Sequence, residues 1–196
     1  MTAFRRVESY RRQQGHKYVA GVDEVGRGAW AGPLVAAALI LKPYSKLPNL
    51  KDSKQVTALQ RKRWAVKIAA SSIGYSWGIV TAREIDSIGI AKANNLAFQR
   101  AIDNLAPRPD YALADYFSLD GCKCPIEGVK GGDVEVRTIA AASILAKVFR
   151  DNIMGMVGRI YPEYGFAEHK GYGAAAHKKA IKKYGFCPWH RRSFDI

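Results

Sequence analysis

The run Pro33–Leu41, Pro-Leu-Val-Ala-Ala-Ala-Leu-Ile-Leu, constrains this chain more than any other stretch. It is far short of the roughly 20 apolar residues that a membrane-spanning helix needs, and no other apolar run in the chain is longer. A short, continuous apolar segment bounded by turn residues reads as a buried strand. Gly26, Gly28 and Gly32 punctuate the turn that leads into it. Ahead of that turn, Lys17–Asp23 (KYVAGVD) reads as a second short buried strand, ending on the adjacent carboxylates Asp23 and Glu24.

Local signals place the remaining elements. Thr57 with Gln60, and Thr81 with Glu84, make capping-box patterns. The first opens a helix over about 57–70, after a loop over 43–53. The second opens a region that is helical by about 91–105, where Pro107 and Pro109 end it. GYSWGIV at 74–80 reads as a strand, as does YALAD at 111–115, which again ends on a carboxylate, Asp115. Residues 138–160 are alanine-rich and apolar at helical spacing, so they should form a buried helix. The tail from Tyr161 alternates Gly, Pro and His with basic residues and should hold one short helix near 174–184. Strands in close succession, followed by alternating strands and helices, predict an α/β layer structure. The sheet should be mixed and covered by helices, with the functional residues at strand ends. The 196 residues, 48% of them hydrophobic, suit one domain with an ordinary core and exclude wholesale disorder.

Charge narrows the partners. Lys and Arg number 31 against 17 Asp and Glu, a net charge of +14, which favours a polyanion such as nucleic acid or an anionic membrane surface. Seven of the cations fall between Lys42 and Arg63 and ten from Lys147 onward, two basic segments that should bind the polyanion. Residues 1–14 hold four arginines and no apolar core, unlike a secretory signal, and Glu8 argues against a transit peptide. Three cysteines (Cys122, Cys124, Cys187) make no disulfide framework and suit a reducing cytoplasm, so a cytoplasmic protein is expected.

Four acids stand out against this basic background: Asp23 and Glu24, Asp115, and Asp133 behind Gly131 and Gly132. Neighbours on a strand point to opposite faces, so one of Asp23 and Glu24 should face inward. Carboxylates converging at strand ends repel one another unless a cation intervenes, and hard Mg²⁺ prefers oxygen ligands. Each acid taken alone also fits a cap, a turn or an ion pair. An acidic metal centre ringed by Lys and Arg suits phosphodiester hydrolysis, for which two metal ions serve both ends of an in-line displacement.

The segment Gly21-Val22-Asp23-Glu24-Val25-Gly26-Arg27-Gly28 resembles the signature of the ribonuclease HII family, the type 2 ribonucleases H. Further matches follow in order: Asp52-Ser53-Lys54, the YALAD strand, Gly132-Asp133, residues 139–147 (IAAASILAK), Arg150-Asp151, His169-Lys170-Gly171-Tyr172, and His190-Arg191-Arg192-Ser193-Phe194. The resemblance spans about 18–194. It implies a ribonuclease H-like fold, with a mixed five-stranded sheet flanked by helices in a catalytic core over about 17–160. A small helical substrate-binding region over about 161–196 would complete a single domain. It implies hydrolysis of the RNA strand of RNA–DNA hybrids, and incision 5′ to ribonucleotides embedded in duplex DNA, leaving 3′-hydroxyl and 5′-phosphate ends. That activity belongs to ribonucleotide excision repair and DNA replication. By position, Asp23, Glu24, Asp115 and Asp133 resemble the four metal-binding carboxylates, with Mg²⁺ or Mn²⁺ as cofactor.

Under the same resemblance, Gly26, Arg27 and Gly28 form the loop that senses the ribose 2′-hydroxyl, the group that separates RNA from DNA. Ser53 and Lys54 contact phosphate, and Tyr172 reads the ribonucleotide-to-deoxyribonucleotide junction. A monomer acting on nucleic acid, with no membrane association, is expected. Lys147 and Asp151, four apart on one helix face, should pair. Tyr116, Phe117 and Trp30 are bulkier than the residues usual at those places: Tyr116 and Phe117 either narrow the groove or pack on it, and Trp30 either stacks on a nucleotide or fills the core. Three other readings compete: a catalytically silent hybrid- or RNA-binding module, a zinc-stabilised protein using Cys122, Cys124, Cys187 and His190, and a peripheral membrane protein. The last lacks a basic amphipathic helix with exposed aromatics.

Overall fold

The computed structural model describes residues 7–47, 50, 57–115 and 122–196. In chain order the elements are α1 (Val7–Gln13), β1 (Val19–Val25), β2 (Leu34–Leu41), α2 (Ala58–Ser71), β3 (Ser72–Val80), α3 (Ala82–Ile88), α4 (Ile90–Asp103), β4 (Tyr111–Asp115), β5 (Ile126–Val129), α5 (Gly132–Glu135), α6 (Arg137–Ile160), a 3-10 turn (Pro162–Tyr164), α7 (Phe166–His169) and α8 (Ala175–Tyr184).

The five strands make one mixed sheet in the order β3-β2-β1-β4-β5. β1, β2 and β3 form an antiparallel meander, while β4 runs parallel to β1 and β5 parallel to β4. The apolar run of β2 is buried at all its positions because helices cover both faces of the sheet there. On one face, Ala20, Val22, Leu34, Ala36 and Ile40 pack with Ile85 of α3 and with Ala97, Phe98 and Ala101 of α4. On the other, Ala37, Leu39 and Leu41 pack with Ile68 of α2 and with Ala140, Ala141 and Ile144 of α6. A Cβ on Gly21 would collide with the Thr138 backbone, so glycine lets α6 lie directly on β1.

Both capping boxes form, with Thr57 and Thr81 each closing reciprocal hydrogen bonds with the residue three positions on. Gly89, at φ +79°, then divides the second helical region into α3 and α4. β1 starts and ends two residues later than its apolar run predicts. The Lys17 and Tyr18 amides donate to the Asp110 carboxylate instead of joining the ladder (2.8 and 3.1 Å). At the other end, pairing with β2 continues through Glu24↔Ala36 and Val25↔Val35, so Asp23 and Glu24 lie within the strand.

α1, β5 and α5 have no clear signature in the sequence. α1 is held by long-range polar contacts: buried Glu8 accepts from the Thr138 amide (2.9 Å), and Arg11 pairs with Glu127 of β5 (2.7 Å). α6 has no side-chain cap of its own, so Glu8 supplies one from a distant segment. Beyond the sheet, Tyr164, Phe166, Ala180 and Cys187 gather on Met154 and Val157 at the end of α6 and on Ala31. No helix among the described residues is long and apolar enough to cross a membrane.

Candidate active site

The carboxylates gather where β1 and β4 run side by side. β4 pairs with β1 up to Val22↔Ala114, so Asp23 and Asp115 follow in the same register. Asp23 is buried on the α6 face, where Ser143 hydrogen-bonds it, and Glu24, half-buried, points to the opposite face. The Glu24 amide donates to Asp23 Oδ1 (2.8 Å). Asp115 Oδ1 accepts from the Gly132 amide (2.8 Å), which brings the start of α5, and with it buried Asp133, to the end of β4. A Cβ on Gly132 would crowd the tip of the Ile139 side chain, while the Asp115 Cα would lie at ordinary contact distance.

Burial, reinforced by the charge of Glu24 and then by that of Asp115, pushes the Asp23 carboxyl well above the usual carboxylate range; the Ser143 and Glu24 hydrogen bonds oppose this. The donors are all hard oxygens, and a divalent cation fits them because it would cancel the repulsion that Asp23 experiences. Among the described residues, no three His, Cys, Asp or Glu side chains close around one point as a finished coordination shell. The zinc reading therefore has no site there. Cys124 packs in the core of the sheet with Phe98, whereas Cys187 packs with Tyr164 and Phe166 at the far end of α6.

The Gly26–Gly28 loop begins where β1 ends. Gly26 has φ +94°, and a Cβ there would collide with the Arg150 guanidinium, so the fold itself requires glycine. Gly28 is different. It is exposed, lies outside the left-handed region, and an added Cβ would meet nothing within 4 Å. Arg27 is also exposed.

Two fully buried arginines hold this loop from beneath. Arg150 of α6 donates to the carbonyls of Pro33 (2.9 Å), Ala31 (3.0 Å) and Lys170 (2.9 Å). Arg191 donates to the carbonyl of Arg27 (2.9 Å) and twice to that of Gly32 (2.9 and 3.1 Å). Backbone bonds join the same segments: the Trp30 and Ala31 amides donate to the Gly171 carbonyl, and the Gly32 amide to that of Trp189. Tyr172, half-buried, sets its ring over Arg150 (5.1 Å) and Lys147 (5.7 Å). Lys147 pairs with Asp151 (2.8 Å), as the helical spacing predicts.

The structure thus brings Asp23, Glu24, Asp115, Asp133, Gly26, Arg27, Gly28 and Tyr172 to one end of the sheet. Ser53 and Lys54, like Tyr116 and Phe117, lie outside the described residues. Trp30 is a packing residue here, seated against Gly173 and the His177 ring. His190 and Arg191 are buried, whereas Arg192 is exposed. Both clamping arginines lie in motifs quoted above, where His190, Arg191 and Arg192 stand as either phosphate-positioning or site-supporting residues or as a surface basic patch; their hold on the loop's carbonyls was not foreseen. Arg150 had a signal: with Ala146, Met154 and Val157 it occupies the buried stripe of α6 at helical spacing. Arg191 had none.

A layered α/β fold with acids at adjacent strand ends and glycine-rich backbone beside them is that of the ribonuclease H class of endonucleases. Ribonuclease H2 from Pyrococcus horikoshii OT3 superimposes with a TM-score of 0.78 at 28% identity, over 91% of this chain and 94% of that one. Bst-RNase HIII in complex with Mn²⁺ shares the fold, with a TM-score of 0.73 at 22% identity, over 90% and 67%. The family model for ribonuclease HII matches residues 20–196. A ribonuclease HII from Desulfitobacterium hafniense (strain DSM 10664 / DCB-2) is 46% identical over 180 residues, 92% of this chain and 69% of that protein. The chain belongs to the ribonuclease HII family.

Proposed function

We propose that this endonuclease both hydrolyses the RNA strand of RNA–DNA hybrids and incises duplex DNA 5′ to single embedded ribonucleotides, leaving 3′-hydroxyl and 5′-phosphate ends. Family membership carries the hybrid activity. Gly28 is the observation that carries the finer reading. Neither backbone conformation nor packing explains a glycine there, and what its missing side chain leaves is open space in the loop that follows Asp23 and Glu24. Backbone laid bare in this way suits close approach to a sugar, where a 2′-hydroxyl is recognised by main-chain groups.

Asp23, Glu24, Asp115 and Asp133 are the residues that would hold Mg²⁺ or Mn²⁺. Two such ions, when bound, would polarise the phosphoryl oxygen, supply hydroxide at neutral pH and stabilise the leaving oxygen. The chain's own groups do the rest. Gly26, Arg27 and Gly28 present backbone to the 2′-hydroxyl, and Arg191 and Arg150 fix that backbone from below. Tyr172 offers a flat face and a hydroxyl to the junction sugar, and Ser53 and Lys54 contact phosphate. Lys62, Arg159 and Lys170, which with Asp151 line an open cleft between α2, α6 and α7, offer cations to the duplex backbone. A monomer acting in the cytoplasm in ribonucleotide removal and DNA replication is the cellular counterpart of this reading.

The test uses three labelled duplexes: DNA with one ribonucleotide, all-DNA, and an RNA–DNA hybrid, each with Mg²⁺, Mn²⁺ or EDTA. Metal-dependent incision 5′ to the ribonucleotide with the all-DNA duplex intact is the expected result. Cleavage of the hybrid alone would remove the junction activity, and binding without cleavage under either metal would restore the silent binding module.

A further inference from the structure

Three of the chain's four histidines lie together next to Tyr172: His169 stacks on His177, His177 lies tilted against His190, and His177 reaches the Tyr172 carbonyl. We propose that His177 and His190 form a neutral, proton-ordered pair that positions Tyr172 through its backbone carbonyl, making both histidines positioning residues for the junction-reading tyrosine. The inference rests on the role proposed above for Tyr172.

The hydrogen bonds fix every proton in the pair. The Cys187 amide donates to His190 Nδ1 (2.9 Å), so that nitrogen carries no hydrogen, and a neutral His190 must carry it on Nε2. His177 Nδ1 lies 3.0 Å from the Tyr172 carbonyl oxygen, which only accepts, so His177 carries its hydrogen on Nδ1 and leaves Nε2 bare. The two Nε2 atoms are 3.1 Å apart. One end of the chain makes His190 Nε2 the donor; the other end independently makes His177 Nε2 the acceptor. The order is thus Cys187 N–H to His190, His190 to His177, and His177 to the Tyr172 carbonyl. A proton added to either ring would set donor against donor.

The surroundings keep the rings uncharged. His177 and His190 are fully or almost fully buried. His177 sits among Trp30, Phe166 and His169, and His190 among Tyr164, Phe166 and Phe186. Burial, aided by His177, holds His190 down to about 4, and burial with His169 also lowers His177. Glu163, which raises the neighbouring Tyr164 and Cys187, does not figure among the groups that shift either ring. The Tyr172 amide is anchored to the His169 carbonyl (3.0 Å), so the residue is held at both its N–H and its C=O.

The experiment combines ¹⁵N spectra of the imidazoles at pH 7 with cleavage of the single-ribonucleotide duplex and of the RNA–DNA hybrid under Mg²⁺. The ratio of the two rates isolates junction reading from any effect on catalysis at large. The expected spectra show His190 as the Nε2–H tautomer and His177 as the Nδ1–H tautomer; a charged ring or the opposite tautomers overturn the proposal without recourse to any variant. His177→Ala should lower the junction-to-hybrid ratio about tenfold or more, since small displacements of a positioning group are costly. His177→Asn, which keeps a donor near the Nδ1 position, should restore most of it. An unchanged ratio in His177→Ala, where Tyr172→Ala lowers it, overturns the pair's role and keeps the tyrosine's. An unchanged ratio in Tyr172→Ala overturns the tyrosine reading on which the inference stands.

Discussion

Arg191 donates from Nη1 to the main-chain carbonyl of Arg27 across 164 positions of sequence, at 2.9 Å. The bond ties the last segment of the chain to the exposed loop beside the carboxylates. Its guanidinium also donates twice to the carbonyl of Gly32, at the far end of the same loop. Both ends of the loop are therefore fixed by one planar, fully buried side chain.

That geometry makes Arg191→Lys a severe change. An ammonium is a point donor and cannot span both carbonyls as the guanidinium fork does. Leaving a buried carbonyl unpaired costs about 1–3 kcal/mol. The variant should melt earlier in a urea titration by that order, and its kcat/KM on a ribonucleotide-containing duplex should fall about tenfold or more as the loop shifts. Wild-type kinetics in a folded Arg191→Lys protein would mean that the loop does not depend on the clamp.

Asp23→Asn removes a charge that burial, Glu24 and Asp115 all disfavour, so the fold should be as stable as wild type or more so. Turnover should fall by at least about a thousandfold if Asp23 holds metal as proposed, because such a carboxylate acts in concert with its neighbours. Thermal melting and single-turnover cleavage on the same preparation separate the two effects.

Acid should loosen the end of the molecule that carries His190. Its folded-state pKa is lowered from 6.5 to about 4, chiefly by burial, so the folded state binds its proton less readily than the unfolded chain does. The stability this group contributes is complete above pH 6.5 and declines as pH falls through the window from 6.5 to about 4. The loss amounts to about 3 kcal/mol. Urea midpoints followed by the fluorescence of Trp189, its sequence neighbour, should fall over that window in wild type and less steeply in His190→Gln.

Glu8→Ala should destabilise the protein by about 1–3 kcal/mol, since it leaves the buried Thr138 amide without its partner and removes a negative charge from the start of α6. Glu8 makes no contribution to the proposed chemistry. Cleavage measured well below the melting temperature should stay near wild type, and a loss there would show that α1 does more than cap the helix.

Much of the architecture was legible because its determinants are local. The capping boxes at Thr57 and Thr81, the apolar run of β2 and the alanine-rich stripe of α6 each work over a few residues, and each formed. The four acids stood out by their places at strand ends and behind glycines, and the Gly26–Gly28 loop by its resemblance to a family signature. β1 was misplaced by two residues at each end because Asp110, far along the chain, takes the Lys17 and Tyr18 amides while β2 extends the ladder through Val25. α1 and β5 escaped notice because each is short and is held by partners remote in sequence, such as Glu8 with Thr138 and Arg11 with Glu127.

The sequence by itself determined where acids and glycines fall along a strongly basic chain, and that a strand-rich layer fold lies beneath them. Only the tertiary structure decided what keeps the backbone beside those acids in place. Arg150, Arg191 and His177 act on main-chain carbonyls of distant residues. Every residue carries a carbonyl, so the acceptors leave no mark in the sequence. Their positions exist only once the sheet, α6 and the final segment have packed together.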